Sequence, residues 1–200
     1  MIPKKKVNPA DLGVLTEQPQ QNTFKFDEIT ISSEFCSGNL GRCVQVEDAE
    51  NTTFNMWMSG DGLPYQSSGH YKSWFYFSVK GLPREGRVTF SVKNMALQSK
   101  LYKMGLRPVF RTSPHSMKWK RFTGPITWGM NEENTGFMIT WTYQITNFNP
   151  ETDTMYWAWT YPYSFEESLK HTQKMLKKYK DDEKVYIHRE VLNYSREGRP

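Results

Sequence analysis

This 200-residue sequence lacks several features, and each absence excludes a class of protein. Its two cysteines, Cys36 and Cys43, are too few for a disulfide scaffold and wrongly spaced for a zinc ribbon. No apolar run approaches the roughly 20 residues that a membrane-spanning helix needs. The first residues include lysines, but no apolar segment follows them, so they do not form a secretory signal. We therefore expect a cytoplasmic protein with free cysteines and no membrane partner.

The motifs of common enzyme classes are also absent. The sequence contains neither GxxxxGK[ST] nor GxGxxG for binding phosphate, no GxSxG nucleophile elbow and no HExxH zinc motif. None of the four histidines has a glutamate three residues after it, and a zinc hydrolase needs histidine and carboxylate ligands at short spacing. We expect no catalytic residue, no metal ligand and no cofactor in this chain, and a structural role for His188.

The charge of the chain gives a weak indication of its partners. The net charge of +5 and the pI of about 9.1 favour acidic partners, but the lysines and arginines are scattered. The short basic stretch 117–121 could stack and pair with a single nucleic-acid strand. The simpler interpretation is an edge strand with Trp119 packed inward and with Lys118 and Lys120 in solvent. We therefore expect no nucleic-acid partner.

Apolar and polar residues alternate with a period of two, which indicates β-strands. One face is apolar in 87–93 and in 136–145, whereas 73–79 is apolar on both faces and is expected to be a central strand. A change of phase between Phe26 and Ile29 predicts a bulge or a break.

Turn residues separate these runs at a spacing typical of an antiparallel sandwich or barrel. Residues 94–108 fit this pattern less well and are interpreted as a loop with a helical turn. We predict a flexible tail at 1–23 and an all-β fold, an antiparallel β-sandwich, at 24–163.

Residues 155–163, MYWAWTYPY, are dense enough in aromatics to form either a ligand platform or a core strand. Alternation places Trp157 and Trp159 on one face, and 136–145 is the natural hairpin partner, with its aromatic side meeting them across the core. Pro162 has no N–H to donate and ends the strand. We predict a core strand rather than a binding platform.

The segment 164–182 is predicted to be a connector helix. Ser164 is a natural N-cap, and Glu167, three residues later, completes a capping box. Apolar residues form a stripe at helical spacing, namely Phe165, Leu169, Leu176 and Tyr179.

The pattern of residues 183–200 predicts a strand that leads into a turn. No second strand follows this turn in the sequence, so the predicted strand would have an unpaired edge. We therefore expect the sequence to be part of a longer protein.

Six stretches carry a more specific signal: FCSGNLGR (35–42), SWFYFSV (73–79), NMALQSKLYKMGLRP (94–108), WKR (119–121), YPYS (161–164) and HREVLNYS (188–195). In this order and spacing they resemble the amino-terminal region of the cytosolic carboxypeptidases, a family of tubulin deglutamylases. The similarity covers roughly residues 24–200. It is greatest to a member that removes branch-point glutamates from tubulin.

The resemblance implies a β-sandwich that has no zinc ligands and packs against the protein's own zinc carboxypeptidase domain. The sandwich would support the folding of that domain and shape the approach to its active site. Residues 183–200 would be the start of that domain, whose zinc-binding residues lie beyond Pro200. The implied substrates are glutamate-rich tails of tubulin or other proteins, in the cytosol and in association with microtubules. This chain alone would not be an enzyme.

The resemblance also suggests roles for particular residues. Candidates for steering acidic tails by positive potential are Arg42, Arg107, Arg111, Lys118, Lys120 and Arg121, although an ordinary solvated side chain is the simpler interpretation of any one of them. Candidates for contact with the carboxypeptidase domain are Tyr161, Pro162, Tyr163, His188 and Arg189. Ser37, Gly38 and Asn39 are expected to form a tight turn, in which Asn39 cross-links loops through its side chain.

A different class of function is also open. The chain could be a stand-alone β-sandwich binding module whose aromatic face takes an acidic peptide or a glycan. That alternative predicts a stable isolated domain with an exposed aromatic row. The carboxypeptidase interpretation predicts exposed apolar surface near residues 161–195.

Overall fold

The computed structural model describes residues 22–47, 49–60, 72–96, 99–131, 136–195 and 198. The chain divides into two compact units, Met1–Pro162 and Tyr163–Pro200. The tail predicted at 1–23 is too long at its end, because Asn22 accepts from the Ser33 N–H at 2.8 Å and Thr23 begins the first strand, while residues 1–21 lie outside the described residues.

The described residues of the first unit are mainly strands. The strands are β1 (Thr23–Phe26), β2 (Ile29–Ser32), β3 (Arg42–Gln45), β4 (Thr52–Trp57), β5 (Tyr76–Lys80), β6 (Gly86–Met95), β7 (Val109–Ser113), β8 (Lys120–Arg121), β9 (Ile126–Met130), β10 (Phe137–Ile145) and β11 (Thr154–Ala158). A short helix, α1 (Ser99–Lys103), lies within the stretch predicted to contain a helical turn.

The strands form two sheets, which confirms the predicted all-β sandwich. The six-stranded sheet has the order β1-β2-β5-β11-β7-β8, and the five-stranded sheet has the order β3-β4-β6-β10-β9. Neighbouring strands are antiparallel except for β4 and β6, which are parallel, so the second sheet is mixed rather than purely antiparallel. The reason is that the chain between β4 and β6 passes through β5 in the other sheet and returns in the same direction.

Two local predictions about the six-stranded sheet are also confirmed. The change of phase between Phe26 and Ile29 is a tight turn between β1 and β2, with Asp27 at a φ of 47°. The run 73–79 contributes β5, an interior strand between β2 and β11, and its residues Tyr76–Val79 are buried. A strand that is covered on both faces carries apolar side chains on both faces. For this reason apolar and polar residues do not alternate in the run 73–79.

Large aromatic side chains fill the space between the sheets. Trp141 of β10 and Trp157 of β11 face each other with ring centroids 5.4 Å apart, and Phe90 of β6 lies within 5.9 Å of both. All three side chains are almost completely buried. Burial of aromatic surface on this scale is the main stabilising contribution to the sandwich.

The predicted hairpin between 136–145 and 155–163 is wrong. β10 pairs with β6 and β9, whereas β11 pairs with β5 and β7 in the other sheet. Because both edges of β10 are already occupied, the connection through Asn147–Pro150 crosses from one sheet to the other. The part of the prediction that placed Trp157 opposite the aromatic side of 136–145 is confirmed, since Trp141 and Trp157 meet across the core.

The second unit contains helix α2 (Phe165–Lys178) with the predicted capping box. The Ser164 hydroxyl accepts from the Glu167 N–H at 3.1 Å, and the Glu167 carboxylate accepts from the Ser164 N–H at 2.8 Å.

The predicted strand within 183–200 is wrong, because residues 185–195 form no regular secondary structure. A strand needs a neighbour for its backbone groups, and no described segment pairs with this one. No helix among the described residues is long and apolar enough to cross a membrane.

Candidate functional site

The two sheets differ in the surface that each turns away from the core. The centre of the five-stranded sheet's outer face carries hydroxyl side chains that bond to one another across the strands. Thr89 and Thr142 are 2.9 Å apart, and Ser91 and Thr140 are 2.7 Å apart. These hydroxyl groups satisfy one another within the sheet.

The six-stranded sheet carries aromatic side chains on its outer face. We call this cluster the outer aromatic patch, and it consists of Phe35, Trp74, Tyr76, Trp119 and Tyr156. Tyr76 is its centre, with ring centroids of the other four at 4.6 to 6.3 Å. Tyr76 is buried, and the other four side chains are half-buried. The predicted inward packing of Trp119 thus occurs, but onto the outer face of the sheet rather than into the core.

Arg111 lies within this patch and contacts two of its rings. Its guanidinium carbon is 5.0 Å from the ring centroid of Trp119 and 4.8 Å from that of Tyr156. Each such cation–π contact contributes about 0.5–1 kcal/mol at an exposed site and more when water is excluded. The Nε atom of Arg111 is buried, and no described residue provides a hydrogen-bond acceptor for it. In the described part of the chain, no carboxylate pairs with Arg111.

The loop Ser37–Asn39 supports the patch from one side. The Trp74 indole N–H donates to the Ser37 carbonyl at 2.7 Å, which fixes the ring. The Asn39 amide donates to the carbonyls of Trp74 and Ser59 at 2.9 and 3.2 Å, and its oxygen accepts from the Ser59 N–H at 3.1 Å. Gly38 is needed for close approach, since a Cβ there would lie 2.0 Å from the Ser33 carbonyl oxygen. Ser37, rather than Gly38, has a positive φ, at 67°.

The predicted steering residues do not all lie together. Arg121 of β8 pairs in register with Val109 of β7 and therefore shares the outer face with Arg111. Lys120 pairs with Phe110, which packs against Trp157, so it lies on the opposite side of the strand. Lys118 is exposed beside Trp119.

The other two predicted steering residues have different surroundings. Arg107 supplies a carbonyl that accepts from the Arg121 guanidinium at 2.8 Å, which helps to hold Arg121 in place. Arg42 begins β3 at the edge of the five-stranded sheet, where it stacks on Trp57 with its guanidinium 4.5 Å from the ring centroid. Arg42 is thus separate from the other five.

A sequence signal for this surface exists but is easily overlooked. Between Glu85 and Glu132 the chain has nine lysines and arginines and no aspartate or glutamate. The overall charge of +5 hides this asymmetry, because acidic residues are concentrated elsewhere. The segment without acidic residues supplies β6 to β9, and its cations in or beside β7 and β8 are Arg107, Arg111, Lys118, Lys120 and Arg121.

The residues predicted to contact a carboxypeptidase domain are mostly exposed. Tyr161 is 50% exposed and lies under the Arg121 guanidinium, 5.2 Å from its carbon. In the second unit, Tyr163 is 63% exposed and its hydroxyl is 3.1 Å from His171 Nδ1. His188 lies 3.6 Å from Glu190 and is exposed, as is Arg189, while Pro162 is half-buried.

A second feature of the first unit, not expected from the sequence, pairs His115 with Asp153. His115 Nε2 donates to the Asp153 carboxylate at 2.8 Å, which also accepts from the Asn149 N–H and the Thr152 hydroxyl. Both residues line a cleft of about 290 Å³ beside Tyr143. Burial alone would raise the pKa of Asp153, but these hydrogen bonds and the nearby histidine lower it below its ordinary value of 3.8.

This pair leads to a pH-dependent prediction. Replacing Asp153 with asparagine should lower the free energy of unfolding by about 1–3 kcal/mol near neutral pH, because the hydrogen bonds from His115, Asn149 and Thr152 lose their buried, charged acceptor. The pKa of Asp153 is lowered in the folded chain, so its contribution is present above the ordinary value of 3.8 and is lost as the pH falls.

Urea unfolding at neutral and acidic pH measures this effect. The difference between D153N and the parent should shrink once the pH falls below about 4. H115A is the control, and with a side chain 61% exposed it should change stability by less than about 1 kcal/mol. An equal difference at both pH values would contradict the assignment.

Metal binding by the described residues is not supported. No three of their histidine, cysteine, aspartate and glutamate side chains lie close enough together to hold a metal ion. The donor set of the described residues therefore does not fit zinc.

Comparison with known proteins adds to this description. Residues 31–161 match the family model of the cytosolic carboxypeptidase N-terminal domain. Cytosolic carboxypeptidase-like protein 5 of Danio rerio is 29% identical over 191 residues, which cover 84% of this chain and 21% of that protein. The Homo sapiens protein of the same name is 28% identical over 199 residues, covering 85% and 22%. The chain thus spans about a fifth of the length of these relatives.

A solved structure is similar in fold. The crystal structure of "Putative carboxypeptidase A" from Shewanella denitrificans superposes with a TM-score of 0.51 at 16% sequence identity. The superposition covers 73% of this chain and 33% of that one. At this level of identity the similarity concerns the fold alone.

Proposed function

The chain belongs to the cytosolic carboxypeptidase family as its N-terminal domain, and from this premise we propose that it is the non-catalytic part of a zinc metallocarboxypeptidase. The whole protein would remove glutamates from acidic tails, those of tubulin among them, in the cytosol and on microtubules. The β-sandwich would support folding of the carboxypeptidase domain and shape the approach of the substrate. Zinc would be bound by the carboxypeptidase domain, not by this chain.

Exposed apolar residues of the second unit carry this proposal. Tyr186 is 92% exposed and Leu192 is 86% exposed, and further exposed apolar residues of the segment are Val185, Val191 and Tyr194. Leaving such side chains in water is unfavourable, so an exposed apolar group of this kind indicates a partner surface. The partner that family membership favours is a carboxypeptidase domain, because relatives extend well beyond the part matched by this chain.

The backbone of the same segment supports the same partner. Residues 185–195 are rich in β-branched and aromatic side chains, but they form no strand. Pairing with the sheet of a neighbouring domain would satisfy their backbone groups and bury their side chains together. A partner of this kind therefore accounts for both the composition of the segment and its irregular conformation.

Glutamate release tests the proposal. The chain joined to a carboxypeptidase domain of the family should release glutamate from a polyglutamate peptide in a zinc-dependent manner, and the carboxypeptidase domain alone should be poorly soluble or inactive. Leu192→Ser should lower the activity of the joined protein by about tenfold, by weakening the interface.

The matched control is Met104→Ser, because Met104 is an apolar side chain of the first unit that is 75% exposed. This variant should leave the activity unchanged. A joined protein that binds no zinc and releases no glutamate would show that the proposal is wrong.

The second candidate function is a stand-alone module that binds an acidic peptide or a glycan. The outer aromatic patch with Arg111 favours it, because aromatic rings beside a cation suit both ligands. A stable, monodisperse isolated chain that binds a ligand equally well with and without a carboxypeptidase domain would support this alternative.

A further inference from the structure

We propose that Arg111 and Arg121 form a carboxylate-binding site on the outer face of the six-stranded sheet, and that its ligand is a glutamate-rich peptide segment. The inference rests on the proposed function, since it identifies the surface of this chain that receives the acidic tail. Arg111 is the central residue of the site, and Arg121 provides the second positive charge.

The environment of Arg111 indicates a ligand with negative charge. Its guanidinium is half-buried against Trp119 and Tyr156, yet no carboxylate pairs with it in the described part of the chain. Among the described residues its Nε has no acceptor, and its Nη1 approaches the Met117 sulfur at 4.0 Å. Removing a charge from water without a counter-charge is unfavourable, and stacking offsets only part of that cost. A carboxylate arriving at the guanidinium would supply the counter-charge.

The shape of the site suits a carboxylate rather than a general anion. Contacts with two aromatic rings restrict the plane of the Arg111 guanidinium, so its N–H groups are held in a fixed orientation. A planar fork of N–H donors matches the two oxygens of a carboxylate in a bidentate pair. Holding the fork in place before binding reduces the entropy lost when the ligand arrives.

The spacing of the two arginines suits an extended peptide. Arg121 is directly opposite Val109, and Arg111 is two residues further along β7 on the same face. Diagonal neighbours of this kind have their Cβ atoms about 7–8 Å apart. Alternate side chains of an extended chain point the same way and repeat about every 7 Å. Two glutamates separated by one residue would therefore reach Arg111 and Arg121 together.

The surroundings favour the same ligand through charge. The acid-free segment between Glu85 and Glu132 contains both arginines and the exposed Lys118. No carboxylate of the described residues pairs with Arg121 or Lys118 either. The resulting positive potential would attract a peptide with many carboxylates and would speed its encounter with the site.

Titration of the 200-residue chain with a peptide of consecutive glutamates tests the site, and a glutamine peptide of equal length is the uncharged comparison. NMR should show shifts of the Trp119 indole N–H and the Arg111 Nε–H with the glutamate peptide only. At physiological ionic strength, Arg111→Gln should weaken binding by about tenfold, and Arg111→Lys should restore it only in part.

Arg42→Gln is the matched control, because Arg42 also stacks on an aromatic ring but lies in the other sheet. It should change the dissociation constant by less than about twofold. Arg121→Gln provides a second test at an exposed position, and it should weaken binding by about threefold to tenfold even if the Arg111 variants unfold.

Three results would overturn the site: no binding by the parent chain, equal weakening by R42Q and R111Q, or NMR shifts confined to residues away from the patch. A fourth would arise in the joined protein. If the NMR signal of the Arg111 Nε–H is already shifted in the joined protein and no longer responds to the glutamate peptide, the carboxylate bound by Arg111 belongs to the carboxypeptidase domain. It would then not belong to the glutamate-rich tail. Because binding is measured without catalysis, failure of the site is distinguishable from failure to release glutamate.

Discussion

Replacing Trp157 with alanine should lower the free energy of unfolding of the sandwich by about 3–5 kcal/mol. Trp157 is fully buried and lies at the centre of the aromatic core between the two sheets. Its ring is 4.9 Å from Phe110 of its own sheet and 5.4 Å from Trp141 of the other. Alanine would leave a cavity touching both sheets, and a close-packed interior can collapse into it only in part.

Urea unfolding followed by circular dichroism measures this loss. The first control is Trp128→Ala at the edge strand β9, where the ring is 40% exposed and the cost should be at most about 1 kcal/mol. The second is Trp157→Phe, which keeps most of the volume and removes an indole N–H that has no acceptor among the described residues, so it should cost about 1 kcal/mol. A loss below about 1 kcal/mol for W157A would show that the core is not centred on this ring.

Replacing Asn39 with alanine should lower the free energy of unfolding by about 2–4 kcal/mol, as a sum of lost hydrogen bonds. The Asn39 side chain bonds to the backbone at Ser59 and Trp74 and so joins segments distant in sequence. Without it, the Trp74 carbonyl and the Ser59 N–H lose their partner. Because the same loop fixes the Trp74 indole, N39A should also loosen the outer aromatic patch and weaken glutamate-peptide binding.

Two variants separate this role from a general effect of asparagine. Asn39→Asp keeps the acceptor for the Ser59 N–H but directs a carboxylate at two carbonyls, so it should be at least as destabilising as alanine near neutral pH. Asn55 alternates with the buried Phe54 and Met56 on β4 and so lies on the outer face of the five-stranded sheet. N55A should cost less than about 1 kcal/mol. Equal losses for N39A and N55A in urea unfolding would contradict the cross-linking role.

The sequence predicted the strands well because alternation records which side chains are buried. Alternation places Phe90, Trp141 and Trp157 on apolar faces, and all three side chains are buried. Alternation does not record which strand is the neighbour, and this is why β10 and β11 were wrongly paired. The capping box at Ser164 was predictable because it depends on two residues only three positions apart. The strand expected at 183–200 failed for the opposite reason, since a strand depends on a partner.

The candidate site was only partly predictable. Arg111 appeared among six candidate cations, but nothing in its local sequence distinguishes it from Lys120, which lies on the other side of its strand. The distinction comes from Trp119, which precedes β8, and Tyr156 of β11, two rings that meet at Arg111. The pairing of His115 with Asp153 likewise joins residues 38 positions apart, and no short motif indicates it.

Hydrogen exchange of residues 185–195 tests the central claim most directly, which is that this chain is a domain built to pack against a carboxypeptidase domain. The amides of this segment should exchange rapidly in the 200-residue chain, because they lie in no helix or strand. In the chain joined to the carboxypeptidase domain they should become protected, as backbone pairing and burial slow their exchange. Equally rapid exchange in both proteins would contradict the claim.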